Sequence, residues 1–167
     1  MKKTLLIMMI ALGALGSAQA QNDTRIGAFL AYGSEIESLG IGVNAAFPVI
    51  ENLTVAPSLI YYVPKENYGF KINWWEINAN ANYYFVNNEA LGLYALGGLN
   101  YSNVKVSYDE TWGFMGESSV SDGRVGLNLG GGLNFDIGSN ILPFAELKYV
   151  LIDGGQLVAA AGVKVNL

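Results

Sequence analysis

From residue 26 onward the chain alternates apolar side chains with small or polar ones, which is the pattern of β-strands with two different faces. In the clearest run, residues 39–47, every second residue is apolar and the others are Gly40, Gly42, Asn44 and Ala46. Such runs between turn residues predict eight strands, at residues 26–32, 39–47, 53–63, 75–85, 91–102, 125–136, 141–151 and 157–167. An even number of strands returns both ends of a barrel to the same side of a membrane.

The less apolar face of these strands indicates which kind of barrel they form. A soluble lipocalin-like barrel would expose this face to water and would carry charge on about a quarter of its surface residues. Only 14% of the chain is charged, and the face consists mainly of Gly, Asn, Ser and Ala. Such a face suits a narrow, packed lumen, with the apolar face in lipid. We therefore predict an all-β fold, an eight-stranded antiparallel up-and-down transmembrane β-barrel.

Residues 1–20 have the features of a cleavable signal peptide. Lys2 and Lys3 precede an apolar stretch at residues 4–16, and Ala18-Gln19-Ala20 matches a cleavage site. A membrane anchor is the alternative, but the stretch is shorter than the roughly 20 residues that a spanning helix requires. We predict a signal peptide at residues 1–20 and one barrel domain at residues 21–167, exported to the outer membrane of a Gram-negative bacterium.

A periplasmic N-terminus sets the positions of the connections between strands. Short periplasmic turns are predicted at residues 49–52, 86–90 and 137–140, and extracellular loops at residues 33–38, 64–70, 105–123 and 152–155. Aromatic residues near the strand ends predict two girdles at the membrane interfaces. The extracellular girdle comprises Tyr32, Tyr61, Trp74, Trp75, Tyr101 and Tyr149, and the periplasmic one Phe47, Tyr83, Phe85 and Phe135.

Inward-facing amide and charged residues form the first candidate site. Because ions inside a lumen need partners, we predict a structural network of salt bridges and hydrogen bonds. Its predicted members are Glu76, Asn78, Asn80, Asn82, Asn128, Asp136, Glu146, Lys148 and Lys164. A catalytic carboxylate or Ser–Lys arrangement is the alternative interpretation of these residues. We expect no catalytic site, no metal site and no cofactor.

The extracellular loop at residues 105–123 forms the second candidate site. It combines acidic and aromatic side chains, which suit a contact surface for a partner or for lipopolysaccharide. The candidate contact residues are Tyr108, Asp109, Glu110, Trp112, Phe114 and Glu117. The alternative is a protruding hairpin that packs on its own aromatic residues, because the start of this loop, residues 104–108, continues the fifth strand.

The charge of the chain argues against a nucleic-acid partner. Loss of Lys2 and Lys3 leaves seven of the nine basic residues against 14 acidic ones, and no basic cluster is present. The chain also contains no cysteine, which excludes disulfides and thiolate metal sites.

The chain resembles the small eight-stranded outer-membrane barrels of Gram-negative bacteria, the OmpX-like and opacity-protein-like group of the porin family. The resemblance rests on the strand count, on the seventh-strand run Leu142-Pro143-Phe144-Ala145-Glu146-Leu147-Lys148-Tyr149 and on a final strand that reaches the C-terminus. It implies adhesion, surface-antigen or envelope roles in some members and narrow transport in others. Members of this group end in an aromatic residue that the barrel-assembly machinery recognises. Here Val163, Val165 and Leu167 take its place.

Two functional hypotheses follow. The first is a non-enzymatic surface or structural protein with a packed lumen, whose loop at residues 105–123 contacts an extracellular ligand. The barrel enzymes that the chain resembles in size depend on histidine, and this chain has none. The second hypothesis is a narrow conduit for ions or small molecules, which the small and amide residues along the lumen would line. Outer-membrane lipid and lipopolysaccharide are the expected surroundings in both cases.

Overall fold

The computed structural model describes residues 24–67, 70–108 and 119–167. The predicted signal peptide at residues 1–20 lies outside these ranges. Five of the predicted loop contacts also lie outside them, namely Asp109, Glu110, Trp112, Phe114 and Glu117. No helix long and apolar enough to cross a membrane occurs in the described ranges.

The structure is a closed antiparallel barrel. Its described strands are β1 (Arg25–Gly33), β2 (Ser38–Ile50), β3 (Leu53–Tyr62), β4 (Lys65–Asn67), β5 (Phe70–Asn87), β6 (Leu91–Tyr108), β7 (Ser119–Phe135), β8 (Ile141–Leu151) and β9 (Gln156–Asn166). Eight of them form the barrel, because β1 pairs with β9 and β3 pairs with β5. The short β4 pairs with the start of β5 outside this ring. Closure leaves no free sheet edge within the membrane, where an unpaired backbone group would have no water to bond.

The two faces of the barrel follow the predicted alternation. Leu30 and Ile41 point outward and are 62% and 63% exposed, whereas their neighbours Phe29 and Gly42 face the buried lumen. Strong exposure of large apolar residues would be unfavourable in water but is favourable against lipid. The sequence pattern therefore predicted both the barrel and the side of each strand that faces inward.

Three strands extend well beyond the predicted limits. β5, β6 and β7 have 18, 18 and 17 residues, against 9 to 13 in the other barrel strands. Their extracellular ends pair through Trp74↔Val104 and Val104↔Asp122. We call residues 70–74, 104–108 and 119–122 the outer ladder. The predicted loops at residues 64–70 and 105–123 are therefore partly wrong, because both begin or end as paired strand, and Tyr108 is the last residue of β6.

Aromatic side chains fill the lumen where glycines leave room for them. Phe29 on β1 packs edge-on against Phe144 on β8, with ring centroids 5.8 Å apart, and both are register partners of Gly162 on the strand between them. A side chain at Gly42 or Gly162 would overlap Phe29. The alternation of very small and large inward residues thus lets aromatic side chains pack inside the barrel.

The predicted girdles are correct except at one position. Tyr32, Tyr61 and Tyr149 face outward at the extracellular rim, and Trp75 packs on Tyr101 at 5.6 Å between ring centroids. Trp74 was assigned to this girdle wrongly. It points inward, contacts the apolar core and stacks edge-on against buried Tyr62. Adjacent residues of a strand face opposite sides, so Trp74 and Trp75 cannot both face lipid.

We expect Gly130→Ala to impair folding, because the new methyl group would overlap the carbonyl oxygen of Leu147 on the neighbouring strand. Overpacking of this kind costs about 1–3 kcal/mol. Urea titration of the refolded barrel, read by heat-modifiable gel migration, measures the loss.

Gly97→Ala is the matched control, since its methyl group would have no neighbour closer than 4.0 Å. Equal urea midpoints for the two variants would show that backbone contact at Gly130 does not limit the packing of β7 on β8.

Candidate functional site

A network of buried amides lies in the middle of the lumen and converges on one atom. The Oδ1 atom of Asn78 accepts hydrogen bonds from Asn100 at 2.8 Å, Asn128 at 2.9 Å and the Lys148 ammonium at 2.7 Å. The Asn128 amide also donates to Asn80 at 2.8 Å. These residues come from β5, β6, β7 and β8, so the bonds cross from wall to wall of the barrel. All are nearly inaccessible to solvent.

Glu76 brings a negative charge into the same layer. Its carboxylate is completely buried and accepts hydrogen bonds from Gln156 at 2.6 Å, from Tyr62 at 3.3 Å and from Asn100 at 3.3 Å. The Lys148 ammonium lies 3.5 Å from its Oε2 atom and forms an ion pair across the lumen. Burying a carboxylate is costly unless it is paired and hydrogen-bonded, and Glu76 satisfies both conditions.

A second polar layer lies closer to the periplasm. The Lys164 ammonium donates to Asn134 at 3.3 Å, and Asn134 donates to the Tyr84 hydroxyl at 2.8 Å. In the same layer the Tyr94 hydroxyl donates to Glu146 at 3.0 Å. Lys164 also lies over the Phe144 ring, 4.3 Å from its centroid, which is a favourable position for a cation. Below this layer a polar cavity of about 210 Å³, lined by Arg25, Glu51 and Asp136 among others, opens at the periplasmic end.

The structure distributes the predicted lumen residues over these layers. It brings Glu76, Asn78, Asn80, Asn128 and Lys148 together in the central network and places Glu146 and Lys164 in the second layer. Lys148 pairs with Glu76 rather than with Glu146 on its own strand. Asn82 is buried, but no hydrogen-bond partner of its Oδ1 atom is found within the described ranges.

Asp136 does not belong to the lumen network, and its assignment there was wrong. β7 ends at Phe135, and the chain turns at Asp136. Its exposed carboxylate accepts a hydrogen bond from the backbone amide of Gly138 at 2.8 Å, which stabilises the turn into β8.

Several network members were not predicted as such. Tyr62, Asn100, Ser102 and Gln156 all contribute buried polar groups. Asn100 and Ser102 occupy inward positions of the predicted fifth strand and could have been found by extending the alternation rule to every inward amide and hydroxyl. Gln156 lies one residue before the predicted start of the eighth strand, so it was missed with the boundary.

The extracellular end of the lumen is apolar and covered by the β1–β2 loop. Ile36 of this loop is only 5% exposed and packs in the cluster that contains Phe29, Tyr62 and Val158. Next to it, Glu37 forms a surface ion pair with Lys65 at 2.7 Å, and the Lys65 ammonium lowers the pKa of the Glu37 carboxyl below its usual value.

The outer ladder has a polar side and an apolar side. The register places Asn73, Lys105 and Ser121 on the side continuous with the lipid-facing surface, and Ser121 accepts a hydrogen bond at 3.1 Å from Asn103, just below the ladder. The opposite side, continuous with the lumen, is mainly apolar but also carries Asp122 beside Val104. Its apolar residues are Ile72, Trp74, Val104, Val106 and Val120.

The chemical groups of the site are amides, carboxylates, ammonium groups and phenols. The chain has neither histidine nor cysteine, and in the described ranges no group of acidic residues is arranged to hold a metal ion. Within those ranges Glu76 and Lys148 form an ion pair inside the lumen, and the amide bonds around them join β5, β6, β7 and β8.

Comparison with known proteins identifies relatives of this architecture. A family model described as the outer membrane protein beta-barrel domain matches residues 8–167. No curated protein matches the chain by sequence at a significant level.

Solved barrels are similar in fold at low sequence identity. The N-terminal barrel of OprF from Pseudomonas aeruginosa has a TM-score of 0.68 at 20% identity, covering 89% of this chain and all of that one. Neisserial surface protein A gives 0.66 at 18% identity over 86% and 96% of the two chains. Ail from Yersinia pestis, in complex with the heparin analogue sucrose octasulfate, gives 0.62 at 18% identity over 87% and 96%.

We expect Lys148→Met to destabilise the barrel by about 3–5 kcal/mol, because it leaves the buried Glu76 carboxylate without its ionic partner. The double variant Glu76→Gln/Lys148→Met should recover a large part of this loss, since neither buried charge remains. Urea unfolding followed by tryptophan fluorescence measures both. Additive losses in the double-mutant cycle would show that the two side chains do not act as a pair.

Proposed function

Because this chain belongs to the outer membrane protein beta-barrel domain family, we propose that it is a non-enzymatic barrel with a closed lumen that acts at the bacterial surface. Its location is the outer membrane of a Gram-negative bacterium, with lipid around its apolar face. The observation that carries the proposal is the cross-lumen network of Glu76, Asn78 and Lys148, which occupies the middle of the barrel. A filled lumen leaves the extracellular surface as the part available to other molecules.

The narrow conduit is the alternative function. The polar cavity at the periplasmic end supports it, because this cavity would give ions an entrance. A continuous path would further require Lys148 to leave Glu76 and the apolar cluster under Ile36 to open. Both changes would leave buried charges or packed side chains without their partners, so the closed barrel is the better-supported proposal.

The outer ladder and the loop it carries are the proposed contact surface. Paired strands extend beyond the Trp75–Tyr101 rim as far as Tyr108 and Ser119, which flank the middle of the predicted loop at residues 105–123. Within this loop Lys105 is the single basic residue against Asp109, Glu110, Glu117 and Asp122. We therefore propose a partner with basic and apolar groups rather than a polyanion such as the one in the Ail complex.

Assembly into the membrane is the second proposed interaction. Val163 and Val165 lie on the outer face of β9, and Leu167, which follows this strand, is 74% exposed. This apolar edge supports recognition by the barrel-assembly machinery through β9.

We expect replacement of residues 109–118 by a short Gly–Ser linker to abolish adhesion of bacteria displaying the protein to an epithelial monolayer. The barrel should remain intact, because the strand pairs from Ser107↔Ser119 downward do not include these residues. Adhesion counts and heat-modifiable gel migration measure the two effects. Double replacement of Glu37 and Lys65 by glutamine is the control, since it removes exposed charge elsewhere on the extracellular side.

Adhesion that persists in the linker variant at the level of the unmodified protein would contradict the proposed contact surface. So would adhesion that depends equally on Glu37 and Lys65.

A further inference from the structure

The lipid-facing surface contains an open apolar groove on one side of the barrel. Two adjoining cavities of about 920 and 650 Å³ share Ala28, Val43, Leu59 and Val163 in their walls. The groove extends over β9, β1, β2, β3 and β5. Its floor is formed by the small side chains of Ala45, Pro57 and Ala79. We propose that it holds an acyl chain of one phospholipid from the periplasmic leaflet as a persistent ligand.

The groove contains part of a ring of small residues that runs around the whole barrel. Each barrel strand contributes one outward residue: Ala28, Ala45, Pro57, Ala79, Gly97, Gly131, Ala145 and Ala161. Pro57↔Ala79 and Ala145↔Ala161 are direct partners, and the pairs Asn44↔Ser58 and Phe47↔Val55 place Ala45 opposite Pro57.

For the remaining neighbouring strands, the next ring residue is not the direct register partner. It lies two residues from that partner, on the periplasmic side. Ala28, for example, pairs with Val43, and Ala45 is the next outward residue beyond it. Strands in a closed barrel are tilted from the barrel axis, so direct register partners on successive strands lie progressively closer to the extracellular end. Each two-residue shift toward the periplasm cancels this displacement. The ring of small residues therefore lies at one depth in the membrane.

This ring excludes a second copy of the chain as the occupant. Copies in one membrane are related by rotation about the membrane normal, which keeps every residue at the same depth. At the depth of the floor residues Ala45, Pro57 and Ala79 each strand of the barrel presents a small residue, so a neighbouring copy has no large side chain to insert at that level. Hydrocarbon, which is flexible and surrounds the barrel, can fill the groove.

The position of the larger cavity selects the leaflet. Its lining residues Ile26, Val55 and Val165 lie within two residues of the periplasmic ends of β1, β3 and β9, at Arg25, Leu53 and Asn166. The cavity is therefore open toward the periplasmic half of the bilayer, which consists of phospholipid. Its lining is almost wholly apolar, which suits the acyl chain rather than the headgroup.

Native mass spectrometry of the full chain, purified from outer membranes in mild detergent, tests the proposal. The unmodified protein should retain one phospholipid through repeated detergent washes. Ala45→Leu fills the floor of the groove and should weaken binding of added phosphatidylethanolamine roughly tenfold. The leucine side chain would occupy space that the acyl chain fills, so the acyl chain would bury less apolar surface against the barrel. Ala145→Leu is the matched control, since it makes the same change in the same ring but outside both cavities.

Retention by the unmodified protein and by Ala145→Leu, with loss in Ala45→Leu, would support the proposal once gel migration has shown all three to be folded. Equal retention in all three, equal loss in both variants or no retained lipid in the unmodified protein would overturn it. Retained lipopolysaccharide in place of phospholipid would overturn the proposed source. None of these outcomes depends on adhesion by the extracellular loop.

Discussion

The buried Glu76 carboxylate is the constraint on which the interior of this barrel depends. A charge in a lumen of this width must have partners within reach, and Tyr62, Asn100, Lys148 and Gln156 supply them from four different strands. The network extends from Glu76 because Asn100, which donates to this carboxylate, also donates to Asn78, and Asn78 accepts hydrogen bonds from Asn128 on β7 and Lys148 on β8. The contacts that neutralise the Glu76 carboxylate thereby connect β5 with β8 across the barrel and occupy the middle of the lumen.

The outside of the barrel follows from a different constraint, the absence of water in the bilayer. Ring closure through β1 and β9 satisfies the backbone, and large apolar residues cover the surface above and below a ring of small ones. Above the aromatic rim this constraint no longer applies, and β5, β6 and β7 continue into water with Asn73, Asn103 and Ser121 on the outer side. The barrel is thus a base from which the paired ends of β5, β6 and β7 extend beyond the aromatic rim.

The sequence predicted most of the fold because lipid and lumen impose a strict period of two on every strand. It failed where that contrast disappears. The outer ladder was assigned to loops because Lys71, Asn73 and Lys105 interrupt the apolar face once the strands leave the membrane. Gln156 was missed as a network member because the eighth strand was predicted to begin at its first apolar residue, Leu157. Asp136 was wrongly assigned to the network because the alternation was extended one residue beyond the end of β7, into the turn. Which inward amides bond to which partner could not be predicted, because those bonds join strands that are distant in the sequence.

Single-channel recording of the full barrel in a planar bilayer tests the central claim, that the polar network closes the lumen. Insertion is first established by heat-modifiable migration and by protease protection of the reconstituted protein. The account predicts a bilayer without discrete conductance steps, because Lys148 and Glu76 remain paired across the lumen. Steady, discrete steps from demonstrably inserted barrels would contradict it and would establish a continuous aqueous path.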